Sequence, residues 1–147
     1  MRRSVLALLA CAMASVPVGA QEWSSYRGQH GSGVADGTGP PTMWNVEQSL
    51  GIRWKTSIPG MGHSSPIIWG DRVFITTAVA EDDTNLTFRH GPAAIIGGAA
   101  AASKDDVPHS WRVYALDKRT GKVLWERVAI EGLPRTGRHI AASQANA

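Results

Sequence analysis

Short apolar runs of the strand type, broken by turn residues, set the pattern of this chain from about residue 44 onward. The clearest pair is Ser65-Pro66-Ile67-Ile68 and Arg72-Val73-Phe74-Ile75-Thr76-Thr77-Ala78, separated by Trp69-Gly70-Asp71. A second pair, residues 111–116 and 122–128, flanks Asp117-Lys118-Arg119-Thr120-Gly121. Runs rich in β-branched and aromatic residues joined by such turns predict two β-hairpins. Gly121 can take the positive φ that closes the second loop, and the Asp117 and Thr120 side chains can bond to turn amides. Ile52-Arg53-Trp54-Lys55-Thr56 is a further strand candidate, ended by Pro59-Gly60. Residues 21–43 are interrupted by Gly28, Gly31, Gly33, Gly37 and Gly39, and read as an extended or looped lead-in.

Side chains alternate across a strand, so Val73, Ile75 and Thr77 face one way and Phe74, Thr76 and Ala78 the other. The same count sets Trp111, Val113 and Ala115 against Tyr114 and Leu116, and Val123 and Trp125 against Leu124 and Val128. Both faces are apolar, whereas an antiparallel sheet with one face in water confines its apolar residues to the other. Such a sheet needs a cover on each side. A blade of a β-propeller, a four-stranded sheet packed between two neighbours, meets that need. A β-sandwich also explains the hairpins, but it usually keeps a polar outer face. The predicted fold class is therefore all-β, a propeller of four-stranded blades, with a blade at about residues 62–130 inside an incomplete propeller portion, 44–147.

The stretch 79–109 between the hairpins is far longer than a hairpin loop and carries the alanine-rich segment 93–102. It reads as a mobile surface insertion; a short helix is the alternative, weakened by Gly97 and Gly98. Asn85-Leu86-Thr87 matches a glycosylation sequon, which matters only in a eukaryotic secretory pathway.

At the start, Arg2 and Arg3, an apolar run over residues 5–14 and the small residues Val18-Gly19-Ala20 read as a signal peptide, 1–20, with Gln21 as the mature N-terminus. The expected location is the periplasm or the extracellular space. An apolar run of about ten residues is too short for a hydrocarbon core, which takes roughly twenty, so no transmembrane segment is expected. Leu8-Leu9-Ala10-Cys11 faintly resembles a lipobox, and an N-terminal lipid anchor at Cys11 is the alternative, although Leu9 is large for its place. Cys11 is the only cysteine, so cleavage after Ala20 leaves no disulfide and no Cys-based zinc site. Two of the 15 Lys and Arg residues lie in the leader, leaving 13 against 12 acidic residues and a formal charge of +1. Without a basic stripe, nucleic acid is excluded as an expected partner.

The segment 115–125 resembles the repeat of pyrroloquinoline quinone (PQQ) proteins, whose pattern is Ala-x-Asp-x-x-Thr-Gly-x-x-x-Trp. Ala115, Asp117, Thr120, Gly121 and Trp125 occupy all of its marked positions. Trp23, Tyr26-Arg27-Gly28, Gly31-Ser32-Gly33-Val34, Trp44, Arg53-Trp54-Lys55 and His63-Ser64-Ser65-Pro66-Ile67-Ile68 are similar to the lead-in of bacterial exported propellers of this kind. The resemblance covers about residues 23–128, outside the insertion, and implies that Trp125 docks against an adjacent blade. Repeat folds bury their core by stacking units, usually at least three. A single visible blade implies an N-terminal fragment, with Ser143-Gln144-Ala145-Asn146-Ala147 as the beginning of the next blade's first strand. Alone, such a segment is expected to be insoluble or poorly ordered.

Three functions are compatible with this reading: a binding surface or scaffold, a PQQ-dependent dehydrogenase, and a binder of another periplasmic small molecule. The resemblance implies for the dehydrogenase a quinone in the channel, a calcium held by several acidic and amide oxygens, and a catalytic Asp. None of these maps onto this sequence, and the adjacent-cysteine pair of alcohol-oxidising members is absent from it. PQQ with calcium stays an open cofactor, no catalytic residue is named, and a protein or small-molecule partner is left unspecified. His63 and His139 are the channel-facing candidates, because each lies at or just before the innermost strand of its blade and histidine can ligate metal or move protons near neutral pH. Ser64, Ser65, Arg138, Ser143 and Asn146 can add polar contacts. The bland alternative, preferred on these residues, is that all of them bond to loop backbone at the channel mouth. Asp117 and Thr120 belong to the turn rather than to catalysis. Gly28-Gln29-His30-Gly31-Ser32-Gly33 lacks the spacing of a phosphate loop, and no nucleophile elbow gathers a Ser, His and Asp.

Overall fold

The computed structural model describes residues 22–35, 39, 41–82, 106–139 and 142–146. The expected signal peptide, Cys11, the sequon at Asn85 and the alanine-rich segment lie outside them. Among the described residues the fold is all-β: one open antiparallel sheet in the order β1 (Ile67–Trp69), β2 (Arg72–Ala80), β3 (His109–Asp117) and β4 (Val123–Gly132). A single 3-10 turn, Gln29–Gly31, is the described helical element. No described helix is long and apolar enough to cross a membrane.

Both hairpins form where the pattern places them, and β2, β3 and β4 run further. β2 continues through Val79 and Ala80, which pair with Ser110 and His109. The connection between the hairpins is therefore residues 81–108, shorter at each end than the predicted insertion. Small and polar residues at these positions carry no strong strand signal of their own; the ladder of hydrogen bonds recruits them.

Each rung of the ladder defines which side chains share a face. Ile68, Val73 and Leu116 stand in one row, with Ile75 and Tyr114 in the next. This face holds the core of Val73, Tyr114 and Leu116, against which Trp54, Ile58, Ile68 and Ile75 pack. Leu116 is 0% exposed and Tyr114 2%; burying a side chain of this size contributes about 1.5–3 kcal/mol. Trp54 comes from residues 52–56, expected to be a strand, and Ile58 follows just after them. That segment forms no ladder: it lies across the sheet as its cover, because its apolar residues gain more by packing on the exposed row than by extending an edge.

The other face carries the row Ile67, Phe74, Ala115 and Trp125. Phe74 and Trp125 meet over Ala115 with ring centroids 6.0 Å apart, and Ala115 is 0% exposed. Two bulges in the β3–β4 pairing change the alternation. Leu116 pairs with Val123 but Ala115 with Trp125, and Arg112 pairs with Val128 but Trp111 with Ile130, so Leu124 and Ala129 are extra residues. Each inserted residue shifts the parity of the strand. Val123 and Trp125, placed on one face by simple alternation, consequently lie on opposite faces.

The outer edge of β1 is closed at Ile68, where Trp23 exchanges both backbone bonds with it, at 3.0 and 2.9 Å; on the inner side Met61 pairs with Ala78, so that residues 61–69 run beside β2. Residues 142–146 approach the same edge at His63, but as a curled loop rather than the strand predicted for 143–147; Ala147 lies outside the described residues.

Candidate functional site

The polar residues singled out in the sequence come from two distant segments, 63–65 and 138–146, and the fold brings most of them together at the start of the first strand. Ser143, 2% exposed, is the centre of this group. Its Oγ accepts the His63 amide at 3.1 Å and the Ala145 amide at 3.2 Å, and donates to Asn146 Oδ1 at 3.1 Å. A serine that bonds its own near neighbours bends the chain, which explains why this segment curls instead of pairing. The His63 amide also donates to the Ala145 carbonyl at 3.1 Å.

The loop is secured at its base as well. Buried Arg138 donates through NH1 to the Ala142 carbonyl at 3.0 Å, and the Ala142 amide donates to the His139 carbonyl at 2.8 Å. Gln144 donates to the Thr136 carbonyl at 2.9 Å, while the Trp111 indole donates to the Gln144 carbonyl at 3.0 Å. Ser64 turns the other way, onto β2, donating to the Thr76 carbonyl at 3.0 Å and accepting from the Thr76 hydroxyl at 2.6 Å. Ser65 is half-buried.

His63 and His139 thus belong to one hydrogen-bonded unit, tied in through the main chain of each, with both residues exposed. Ser64, Ser143 and Arg138 each bond to backbone. Among the described residues no group of three or more His, Cys, Asp or Glu comes together. Calcium takes 6–8 oxygens in proteins, and the residues gathered at this rim do not supply such a set, so they do not by themselves fit the calcium that would accompany PQQ.

The repeat-like turn is a second organised feature. Asp117 Oδ1 accepts from the Thr120 amide and hydroxyl, each at 2.7 Å, and from the Arg119 amide at 3.1 Å. The Asp117 amide donates to the Lys122 carbonyl and the Gly121 amide to the Asp117 carbonyl, both at 2.8 Å. The Thr120 hydroxyl bond, followed by the Thr120 amide, holds the Asp117 carboxyl below its ordinary pKa. Gly121 takes φ +73°. Segment 52–58 docks here: Trp54 Nε1–H donates to the Lys118 carbonyl at 3.0 Å and the Thr56 hydroxyl to the Gly121 carbonyl at 2.7 Å.

No protein family, curated protein or solved structure matches the chain. Function must be argued from these contacts.

Sequence reasoning missed participants at three places. Trp54 and Thr56 read as strand residues, and no local signal marks them as a segment that docks through side chains. Thr76 is indistinguishable from any strand threonine until Ser64 lies opposite. His109 is the third: it is 3% exposed, its Nδ1 lies 2.8 Å from the Val107 carbonyl, and its Nε2 is buried without a hydrogen-bond partner. A carbonyl can only accept, so Nδ1 carries a hydrogen.

Proposed function

We propose that the chain is the opening part of an exported β-propeller of PQQ-like repeats and that it serves as a binding or scaffold module. The observation that carries this reading is a sheet with an apolar row on each face, of which only one is covered by the chain's own segment 52–58. On the other face Ile67 and Trp69 of β1 and Ile130 of β4 remain exposed. Stacked neighbouring sheets are the simplest way to cover such a face.

The mechanical roles at 115–125 support the repeat reading. Asp117 and Thr120 close the turn, Gly121 leaves room for Trp54, and Ala115 is small enough for Phe74 and Trp125 to meet above it. Each marked position of the repeat has a structural use that involves no reaction. A binding role is favoured over catalysis because the polar groups at the rim are engaged with backbone.

Calorimetric titration of PQQ with calcium into the full-length mature protein tests the proposal. Binding module predicts no stoichiometric heat. Tight one-to-one binding would instead establish a quinoprotein and lead to a dye-linked dehydrogenase assay.

A further inference from the structure

We propose that the cleft between the two hairpin turns binds a phosphate-type divalent oxyanion through Arg53 and Arg119. The cleft, of about 440 Å³, is lined by Arg53, Asp71, Asp117, Lys118 and Arg119. Its walls are held in register by the chain itself. The Lys118 amide donates to the Asp71 carbonyl at 2.9 Å, the Lys118 ammonium reaches the Gly70 carbonyl, and Trp54 ties the segment bearing Arg53 to the second turn.

Two of the five charged groups are already occupied. Lys118 is turned back onto Gly70, and Asp117 accepts three bonds within its own turn. The Arg53 and Arg119 guanidinium groups make no hydrogen bond or ion pair among the described residues, although the charge of Arg119 is felt by the Asp117 carboxyl; the ion pair present there joins Arg112 and Glu126 on the sheet. A guanidinium presents paired N–H donors in a fixed fork that matches an oxyanion, and two of them suit a dianion. Asp71 is the one carboxylate in the cleft without a hydrogen-bonded role for its side chain, and it opposes the anion.

Arg72 and Lys122 flank this end of the sheet, together with Glu22, whose Oε1 accepts the Gly70 amide at 3.3 Å; Glu81 and Glu131 lie at the far end. β2 has nine residues, and at about 3.4 Å per residue it separates the ends by roughly 27 Å. This exceeds the Debye length of about 8 Å at physiological ionic strength, so the acidic end does not cancel the basic one. The inference does not depend on the propeller reading.

Titration of inorganic phosphate into the full-length mature protein in low-salt buffer tests it. Saturable binding is expected, weakened about tenfold or more in R53Q/R119Q and retained in R127Q, which removes an exposed arginine of β4 outside the cleft. D71N is expected to bind more tightly than the parent. All four positions are exposed, so circular dichroism should show the same fold throughout. No saturable binding by the parent chain, equal loss in R127Q, or no gain in D71N would each overturn the proposal.

Discussion

Trp54 occupies the space that a side chain at Gly121 would need: a Cβ there would stand 2.5 Å from the Trp54 ring, while the Trp54 indole donates to the Lys118 carbonyl at 3.0 Å. The glycine has two reasons to be a glycine, its φ of +73° and the ring above it. This contact joins the cover segment to the second hairpin across 67 residues of chain, and it fixes the only cover that the core face has among the described residues.

Gly121→Ala therefore combines left-handed strain with a clash. A loss of about 2–4 kcal/mol is expected, read as a lower denaturation midpoint of the full-length protein. Trp54→Phe keeps most of the ring and loses the bond to Lys118, at about 1 kcal/mol. Equal midpoints for parent and G121A would show that the ring does not hold this position in solution.

Ala115 lies under Phe74 and Trp125 with no exposed surface. Ala115→Leu should force the rings apart and cost about 1–3 kcal/mol, with a red shift of tryptophan emission as Trp125 meets water. An unshifted spectrum with unchanged stability would mean that the rings are not closed over this site.

The Asp117 carboxyl is held below its ordinary pKa, first by the Thr120 hydroxyl and then by the Thr120 amide. A depressed folded-state pKa contributes stability that is present above the unfolded carboxylate value, about 3.9, and is lost as the pH falls through the lower folded value. Asp117→Asn should remove this dependence and Thr120→Val should reduce it. Denaturant midpoints measured from neutral pH down to about pH 2 check the sign: a D117N variant with the parent's acid dependence would assign that dependence to other carboxylates.

Ser143 links His63, Ala145 and Asn146 from a buried position. Removing its hydroxyl leaves two amides short of an acceptor, though the His63 amide keeps the Ala145 carbonyl. Ser143→Ala is expected to cost about 1–3 kcal/mol and to speed hydrogen exchange at the His63 and Ala145 amides. Unchanged exchange would indicate that the loop is held by Arg138 and Trp111 alone.

Trp69 and Ile130, at 60% and 62% exposure, bear on the expectation that the segment alone is poorly soluble. Trp69→Lys with Ile130→Lys should raise the soluble yield of this chain, because both remove large apolar surface from one face. A parent chain that is already monomeric and unfolds cooperatively would contradict both the expectation and the need for neighbouring sheets.

Much of the fold is legible from local chemistry. Strand-forming runs, turn residues and alternation are properties of neighbouring positions, so the two hairpins, the all-β class and the closing roles of Asp117, Thr120 and Gly121 follow from the sequence itself. The meeting of His63 with Ser143, by contrast, joins segments 80 residues apart and was not legible in either.

Tertiary structure decided the rest. Bulges at Leu124 and Ala129 leave no mark in the alternation of apolar residues, yet they move Val123 and Trp125 to opposite faces. Segment 52–58 has strand-like composition but became a cover, because Trp54 and Ile58 found an exposed apolar row that sequence cannot place beside them. The loop 142–146 curls around Ser143, which bonds its own neighbours Ala145 and Asn146 as well as the distant His63 amide. In the last two cases a deciding partner is tens of residues away, and composition and periodicity carry no information about which distant residues will meet.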